Sequence, residues 1–326
     1  MKISVLGTGR SLPARCLDSA ALGLAPEITC RVAKTGVRRR YVCEAETQID
    51  LARDAGLAAL ADAGLAPGDI DLIISAASVA YQPIPATAPL IMQALGVPEG
   101  TAAAFDVNST CLSFLSGVDT AARMIALGAA KRALVVSSEI ASRALPWQDQ
   151  PEVASLFGDG AAAAVIGASD GTGRIAATRF RTFPSGYAAC GIGAGGTRFD
   201  LDRDRDAFIA NATFGMDGKV LFRLTAQHLA GFVDDLLDQA GWSRSDVDMV
   251  IPHQASPAGL DHMIRLTGFD PARVVRIAAD YGNQIAASIP FAFDIARAGG
   301  HLRGGSKVLL LGTSAGVSFG GMALVL

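Results

Sequence analysis

The same order of elements is written twice along this chain, and that duplication restricts the fold more than any other feature. Residues 48–74, QIDLARDAGLAALADAGLAPGDIDLII, return in outline at 225–251 as TAQHLAGFVDDLLDQAGWSRSDVDMVI. Each copy reads as an amphipathic helix, a polar turn and a buried apolar strand. A second pair sets VNSTCLSFLSGVDTAARMIALGAAKRALVV, around Cys111, against GNQIAASIPFAFDIARAGGHLRGGSKVLLL, around Asn283. Two like halves enclose a pseudo-symmetric cleft, and unlike side chains at matching tips put different chemical groups into it. Cys111, His253 and Asn283 are those groups.

The alternation of strand and helix argues an α/β fold in layers. In the first half, strands are expected at 2–6, 71–75, 105–107, 133–138 and 161–166. Helices are expected at 48–63 and 86–95, and from Cys111 to about 128. Residues 170–222 break the rhythm with scattered glycines and the run DLDRDRD, and read as a strand followed by a long functional loop. The pattern then resumes with helices at 220–239, 257–267 and 285–298 and strands at 247–251, 274–276 and 307–312. This divides the chain into an N-terminal half (1–170) carrying a nucleophile, an intervening strand and loop (171–222), and a C-terminal half (223–326).

Half of the 326 residues are hydrophobic and only 18% are charged, which suits wide sheets buried on both faces or a sizeable oligomer interface. A formal charge of −3 offers no general attraction for nucleic acid, although the run Arg38–Arg40 could form a patch for an acidic protein. No apolar stretch is long enough to span a bilayer, and MKISVLGTG reads as a strand and glycine turn, not a signal peptide, so a cytoplasmic location is expected. Five cysteines and four histidines show neither a CxxC pair nor metal-ligand spacing. No metal site and no tightly bound cofactor are expected.

Cys111 follows a short strand and precedes a helix, where free N–H groups and the helix dipole would favour the thiolate. The competing assignment is a small buried hydrophobe, the usual fate of a free cysteine. His253, in IPHQAS, stands at a strand tip whose first-copy counterpart is Ala76; it is either a proton shuttle and hydrogen-bond donor or a structural histidine. Asn283, beside Gly282, is either a turn residue or a neutral directional donor. Amide and imidazole converging on one carbonyl would make an oxyanion site without a cation. The order Cys, His, Asn superficially matches thiol proteases, but there the asparagine orients the histidine, whereas here both can face substrate.

AFDVNSTCLSF, IPHQAS, YGNQIAASIP and the terminal GTSAGVSFGGMAL together resemble the thiolase superfamily, and most closely its β-ketoacyl-acyl-carrier-protein synthase III group. The likeness extends through KTGVRRRYV at 34–42 and LFGDGAAAAV at 156–165. It implies a thiolase-like, five-layered αβαβα fold of two pseudo-duplicated halves, and a homodimer. It further implies that Cys111 is acylated by a thioester. His253 and Asn283 would assist decarboxylation of a malonyl thioester, whose enolate then attacks the acyl group. The N–H groups of Cys111 and Gly316 match the family's oxyanion hole. Phe114 becomes a candidate for the acyl pocket, and Ile84 for the side chain that a dimer partner lends to close it.

The chain also departs from the group. Cys30 stands where members using acetyl-CoA place a tryptophan that stacks on adenine, and the arginine flanking the base is replaced near Pro151. Ser256 and Ala258 stand where HQANxR is usual. Lys34 and Arg223 keep positive charge near the expected entrance. Three explanations stay open: a donor carried on acyl carrier protein, an acyl-CoA bound through other residues, or a specialised relative handling unusual acyl groups. Phosphopantetheine or CoA thioesters are the expected substrates throughout. The alternative activities are acyl transfer to a non-malonyl acceptor and non-decarboxylative joining of two thioesters. A catalytically dead partner of a larger synthase is the non-enzyme alternative.

Overall fold

The computed structural model describes residues Met1–Leu326. In the first half the strands are β1 (Ile3–Ser11), β2 (Arg15–Asp18), β3 (Arg39–Val42), β4 (Leu72–Ser75), β5 (Ala103–Asp106), β6 (Arg132–Glu139) and β7 (Gly160–Ala168). Its helices are α1 (Pro26–Ala33), α2 (Gln48–Asp62), α3 (Thr87–Leu95), α4 (Ser113–Ala126) and α5 (Pro151–Ala154). The remainder holds β8 (Arg174–Thr182), β9 (Cys190–Gly191), β10 (Gly215–Met216), β11 (Met249–Pro252), β12 (Lys307–Ser314) and β13 (Ser318–Val325). With these strands come α6 (Arg205–Ala210), α7 (Gly218–Ala240), α8 (Pro257–Thr267), α9 (Ala278–Tyr281) and α10 (Ser288–Ala298).

Two mixed sheets carry the duplication. One runs β1-β7-β6-β4-β5 and the other β11-β12-β13-β8. Strands β4 and β6 are parallel, as are β11 and β12, while β7 and β13 each return antiparallel to their neighbours. The correspondence reaches single hydrogen bonds. Asp71 accepts the N–H groups of Lys131 and Arg132 at the start of β6, and Asp248 accepts that of Lys307 at the start of β12. Asp69 takes the N–H of Ala66, and Asp246 that of Ser243, so both turns are held by an aspartate reaching three residues back.

Five layers follow from which apolar faces meet. Helices α2 and α3 cover the outer face of the first sheet with Leu51, Ala55, Ala59 and Ile91. Helices α4 and α10 lie between the sheets, burying Phe114, Leu115, Val118, Phe291 and Phe293. Helices α7 and α8 close the far side with Phe232, Leu236 and Met263. Close packing of α2 on β1 needs Gly9, where a Cβ would meet the Ala58 methyl at 2.7 Å. No helix is long and apolar enough to cross a membrane.

Three expectations change. The strand expected at 274–276 is only a single parallel bridge, Val250 to Val274. The buried amide of Gln254 takes over that backbone: its oxygen accepts from Ile277 N and Ala278 N and its nitrogen donates to Val275 O. Helix α4 begins at Ser113 with Leu112 as its N-cap, so Cys111 precedes the helix. The expected loop after β8 is a two-stranded ribbon, β9 with β10, plus α6. Asp217 ends this segment by accepting from Lys219 N and Val220 N at the start of α7. Strand β8 itself is the edge of the second sheet.

Candidate active site

A cavity of about 250 Å³ opens between the halves, and Cys111, His253 and Asn283 all line it. Cys111 sits on a tight turn after β5. Thr110 before it has φ of +51°, a left-handed conformation that a β-branched residue adopts only where the surroundings impose it. Those surroundings are the Asn108 side chain, which accepts from Thr110 N at 2.8 Å, and Ser113 Oγ, which donates to Thr110 O at 2.6 Å. The turn thus holds the sulfur off the regular helix and toward the opposite half.

The surroundings of the thiol work against the thiolate that its position before a helix favours. Burial pushes it up to about 12, and neighbouring Cys190 and Glu139 push the same way; hydrogen bonds from the backbone of Ala315 and Cys111 itself act against them.

His253 follows β11, and its N–H donates to Leu311 O at 2.8 Å. Gly312 lets the histidine approach the cysteine turn. A Cβ there would lie 2.9 Å from Leu112 Cδ2 and 3.2 Å from His253 Cβ. Burial lowers the imidazole to about 4, so it is neutral at physiological pH. Its Nδ1 is buried with no hydrogen-bond partner.

Asn283 is fixed by backbone and side chain together. Its N–H donates to Leu156 O at 2.7 Å and its carbonyl accepts from Gly158 N at 3.2 Å. Its side-chain oxygen accepts from Ile285 N at 2.8 Å. With the oxygen so occupied, the NH2 end of the amide is the free end. Gly282, at φ of +70°, permits the crossing, since a Cβ there would approach Leu156 O to 2.9 Å.

Other expected site residues are placed unequally. Ser256 lines the cavity, with its hydroxyl accepting from Gly259 N as the N-cap of α8. Gly316, at φ of +124°, turns β12 into β13 between Ala315 and Val317, which both line the cavity. Arg223 is exposed beside Phe222, a residue of the cavity wall. Lys34 is exposed at the end of α1, outside the lining. Phe114 is 1% exposed in the core between the sheets and does not line the cavity. Ile84 is 85% exposed and lies outside the lining of its own chain. The arginine run is not one face: Arg38 and Arg39 both pair with Asp280, while Arg40 is buried and donates to Ser19 Oγ.

Sequence reasoning passed over Glu139 and Arg143 and read Cys190 as an ordinary buried cysteine, yet all three line the same cavity. Glu139 had one visible signal, a charge closing the otherwise uncharged run ALVVSS. The ribbon residues Ile192, Phe214 and Met216 also form wall. Nothing in their local pattern marks them, because the ribbon brings them there. The assembled site offers a half-buried thiol, a neutral imidazole and a free amide donor facing a largely apolar space.

Fold and site together define a condensing enzyme of the thiolase superfamily. Sequence comparison agrees: residues 105–184 match the 3-oxoacyl-[acyl-carrier-protein] synthase III model, and residues 237–326 match the model of that protein's C-terminal part. The chain belongs to the β-ketoacyl-acyl-carrier-protein synthase III family. It is 38% identical to β-ketoacyl-[acyl-carrier-protein] synthase III 3 of Streptomyces coelicolor, over 99% of this chain and 97% of that protein. Among solved structures, 3-oxoacyl-(acyl carrier protein) synthase III of Pseudomonas aeruginosa superposes with a TM-score of 0.87 at 32% identity, covering 100% of this chain and 98% of the other. The Aquifex aeolicus counterpart gives a TM-score of 0.87 at 29% identity, covering 99% and 100%.

Proposed function

We propose that the protein joins an acyl group held on Cys111 to a malonyl thioester, with loss of carbon dioxide. The observation that carries this is the pairing of a neutral imidazole with an amide whose oxygen is already tied to Ile285, both facing the cavity of Cys111. In the first step the Cys111 sulfur attacks the donor's thioester carbonyl, and the Cys111 proton leaves with the departing pantetheine thiol. No net charge is created, which suits a thiol held at about 12. Backbone N–H groups of Cys111 and Gly316 would hold the oxyanion.

In the second step the malonyl carboxylate leaves as carbon dioxide, and its bonding electrons become an enolate. His253 and Asn283 donate hydrogen bonds to the enolate oxygen. The enolate carbon attacks the acyl carbonyl, the C–S bond to Cys111 breaks, and the departing thiolate takes a proton from solvent, which balances the charge of the lost carboxylate. An apolar wall protects the acyl-enzyme from water meanwhile. A phosphopantetheine arm, on carrier protein or CoA, fits an entrance bordered by Phe222, Arg223 and Ser256. In a homodimer, the exposed Ile84 would cover the partner's acyl pocket.

Intact-mass and carbon dioxide measurements test this. Cys111→Ala abolishes acyl-enzyme formation. His253→Ala and Asn283→Ala still acylate but lose condensation by about a hundredfold or more. Full acylation of Cys111→Ala would end the assignment. Product formed without release of labelled carbon dioxide would favour non-decarboxylative joining instead, for which Glu139 is the one carboxyl in the cavity wall.

A further inference from the structure

One nitrogen in the cavity wall has no part in the chemistry just described. His262 Nε2 is buried with no hydrogen-bond partner, and His262 lines the same cavity as Cys111. A buried nitrogen left unpaired is costly, and in a binding cavity a ligand group is the natural partner for it. Along α8 the wall residues Ser256, Gly259 and His262 recur at three-residue spacing, which turns one face of the helix to the cavity. Leu221, Phe222 and Thr225 of α7 line it as well. The rings of Phe222 and His262 meet with centroids 4.8 Å apart and planes tilted by 46°. Phe222 is 43% exposed, so this end of the cavity is its mouth.

The helix sets what reaches His262. Ser256 already accepts from Gly259 N at 2.9 Å as the cap of α8. Gly259 adds no side chain, and a Cβ there would meet only Ser256 Oγ at 3.0 Å and Ala255 Cβ at 3.9 Å, both from the start of the same helix. The space above it is open, and His262 is the next polar side chain on that face. Helix α8 begins beside the chemistry, since His253, Ala255 and Ser256 line the cavity immediately before it. His262 lies ~7.5 Å further along the axis than Pro257, the first residue of the helix. In an extended pantetheine arm the inner amide is roughly 4 Å from the thioester sulfur and the outer amide roughly 8 Å. The outer amide is therefore the one level with His262. It presents both an N–H and a carbonyl, so it satisfies Nε2 in either tautomer, whereas a hydrocarbon tail would leave the atom unpaired.

We propose that His262 is a substrate-binding residue that holds the outer amide of the pantetheine arm as a thioester enters between α7 and α8. This rests on the reading that the enzyme's thioesters arrive on such an arm. Carrier-protein and CoA donors share that amide, and thioesters with a shorter arm lack it.

The test uses the full chain and compares acetyl-pantetheine, which has both amides, with acetyl-N-acetylcysteamine, which ends at the inner one. Acylation of Cys111 is followed by intact mass. In His262→Phe, which keeps a ring against Phe222 but no nitrogen, KM for acetyl-pantetheine rises about threefold to tenfold while kcat stays within about twofold. KM for acetyl-N-acetylcysteamine does not change. His262→Gln, whose side-chain amide again donates and accepts, recovers most of the loss. The inference is overturned if His262→Phe keeps the wild-type KM for acetyl-pantetheine, or if both donors weaken alike. Should His262→Phe not fold, His262→Ala decides by the same comparison of donors. A wild-type enzyme acylated by neither thioester would overturn the assigned acylation itself, a result distinct from these. Calorimetry with free pantetheine then decides the role of His262: weaker binding to His262→Phe supports it, and unchanged binding overturns it.

Discussion

A thiol raised to about 12 supplies almost no thiolate at neutral pH, so in the proposed acyl transfer Cys111 would lose its proton during attack and not before it. That distinguishes it from cysteines activated by a standing cation. Burial explains most of the difference, because it removes the water that would support a negative sulfur; Cys190 and Glu139 add to it once they ionise. Such a sulfur should resist alkylation, while a thioester whose leaving group takes the proton could still exchange with it. Alkylation by iodoacetamide should therefore rise about tenfold per pH unit from pH 7 to 10, whereas an ordinary cysteine levels off near 8.5. Peptide mapping separates Cys111 from Cys190, whose thiol is also raised by burial. A plateau for Cys111 below pH 8 would show that the turn before α4 stabilises thiolate after all.

At the scale of elements, the site depends on two extended segments crossing where the halves meet. Residues 156–158 and 281–283 exchange backbone hydrogen bonds, and glycine on each side lets them touch. A Cβ at Gly158 would fall inside contact distance of Tyr281 O and lie 3.2 Å from Arg40 Cβ. Gly158→Ala should thus destabilise the protein by about 3 kcal/mol and slow condensation more than acylation, since Asn283 moves and Cys111 does not. Thermal melts and the two half-reactions check this; a variant with wild-type melting and condensation would refute it. Long elements such as α2, α7 and α8 were legible in the sequence because their apolar period and caps act locally. So was the meeting of Cys111, His253 and Asn283 at one cavity, since each interrupts one copy of a repeat at an element tip. The bridge at Val274 was not legible, because a side chain distant in the pairing, Gln254, claims the backbone that a strand would have used. Glu139 and Cys190 escaped for a related reason: their importance comes from which elements meet around one cavity, and no local period encodes that.

For the molecule as a whole, burying unlike titratable groups in one cavity sets opposing pH dependences. His253 titrates near 4 in the fold against an ordinary 6.5. Between those values the unfolded chain binds the extra proton, so this contribution is complete above 6.5 and lost as pH falls through 4. Glu139 titrates near 8 against 4.5, and burial raises Asp159 as well. For Glu139 the folded chain keeps a proton that the unfolded chain has released, so its contribution is complete below 4.5 and lost as pH rises through 8. From 4.5 to 6.5 the histidine and the glutamate nearly cancel. Above 6.5 only the carboxyl slope remains, removing about 2 kcal/mol by pH 8. Beyond 9, Cys111 and Cys43, both raised to about 12, add a further decline. Melting temperature should accordingly fall only gently from pH 4.5 to 6.5, where the raised Asp159 is uncompensated, fall by several degrees to pH 8, and fall again above 9. Glu139→Gln, which cannot ionise, should flatten most of the middle segment while leaving the fall above 9 intact. A wild-type melting curve that keeps rising from pH 6.5 to 8, or a variant that falls as steeply as wild type there, would mean that the carboxyl is ionised in the folded protein and that the cavity admits more water than its apolar wall implies.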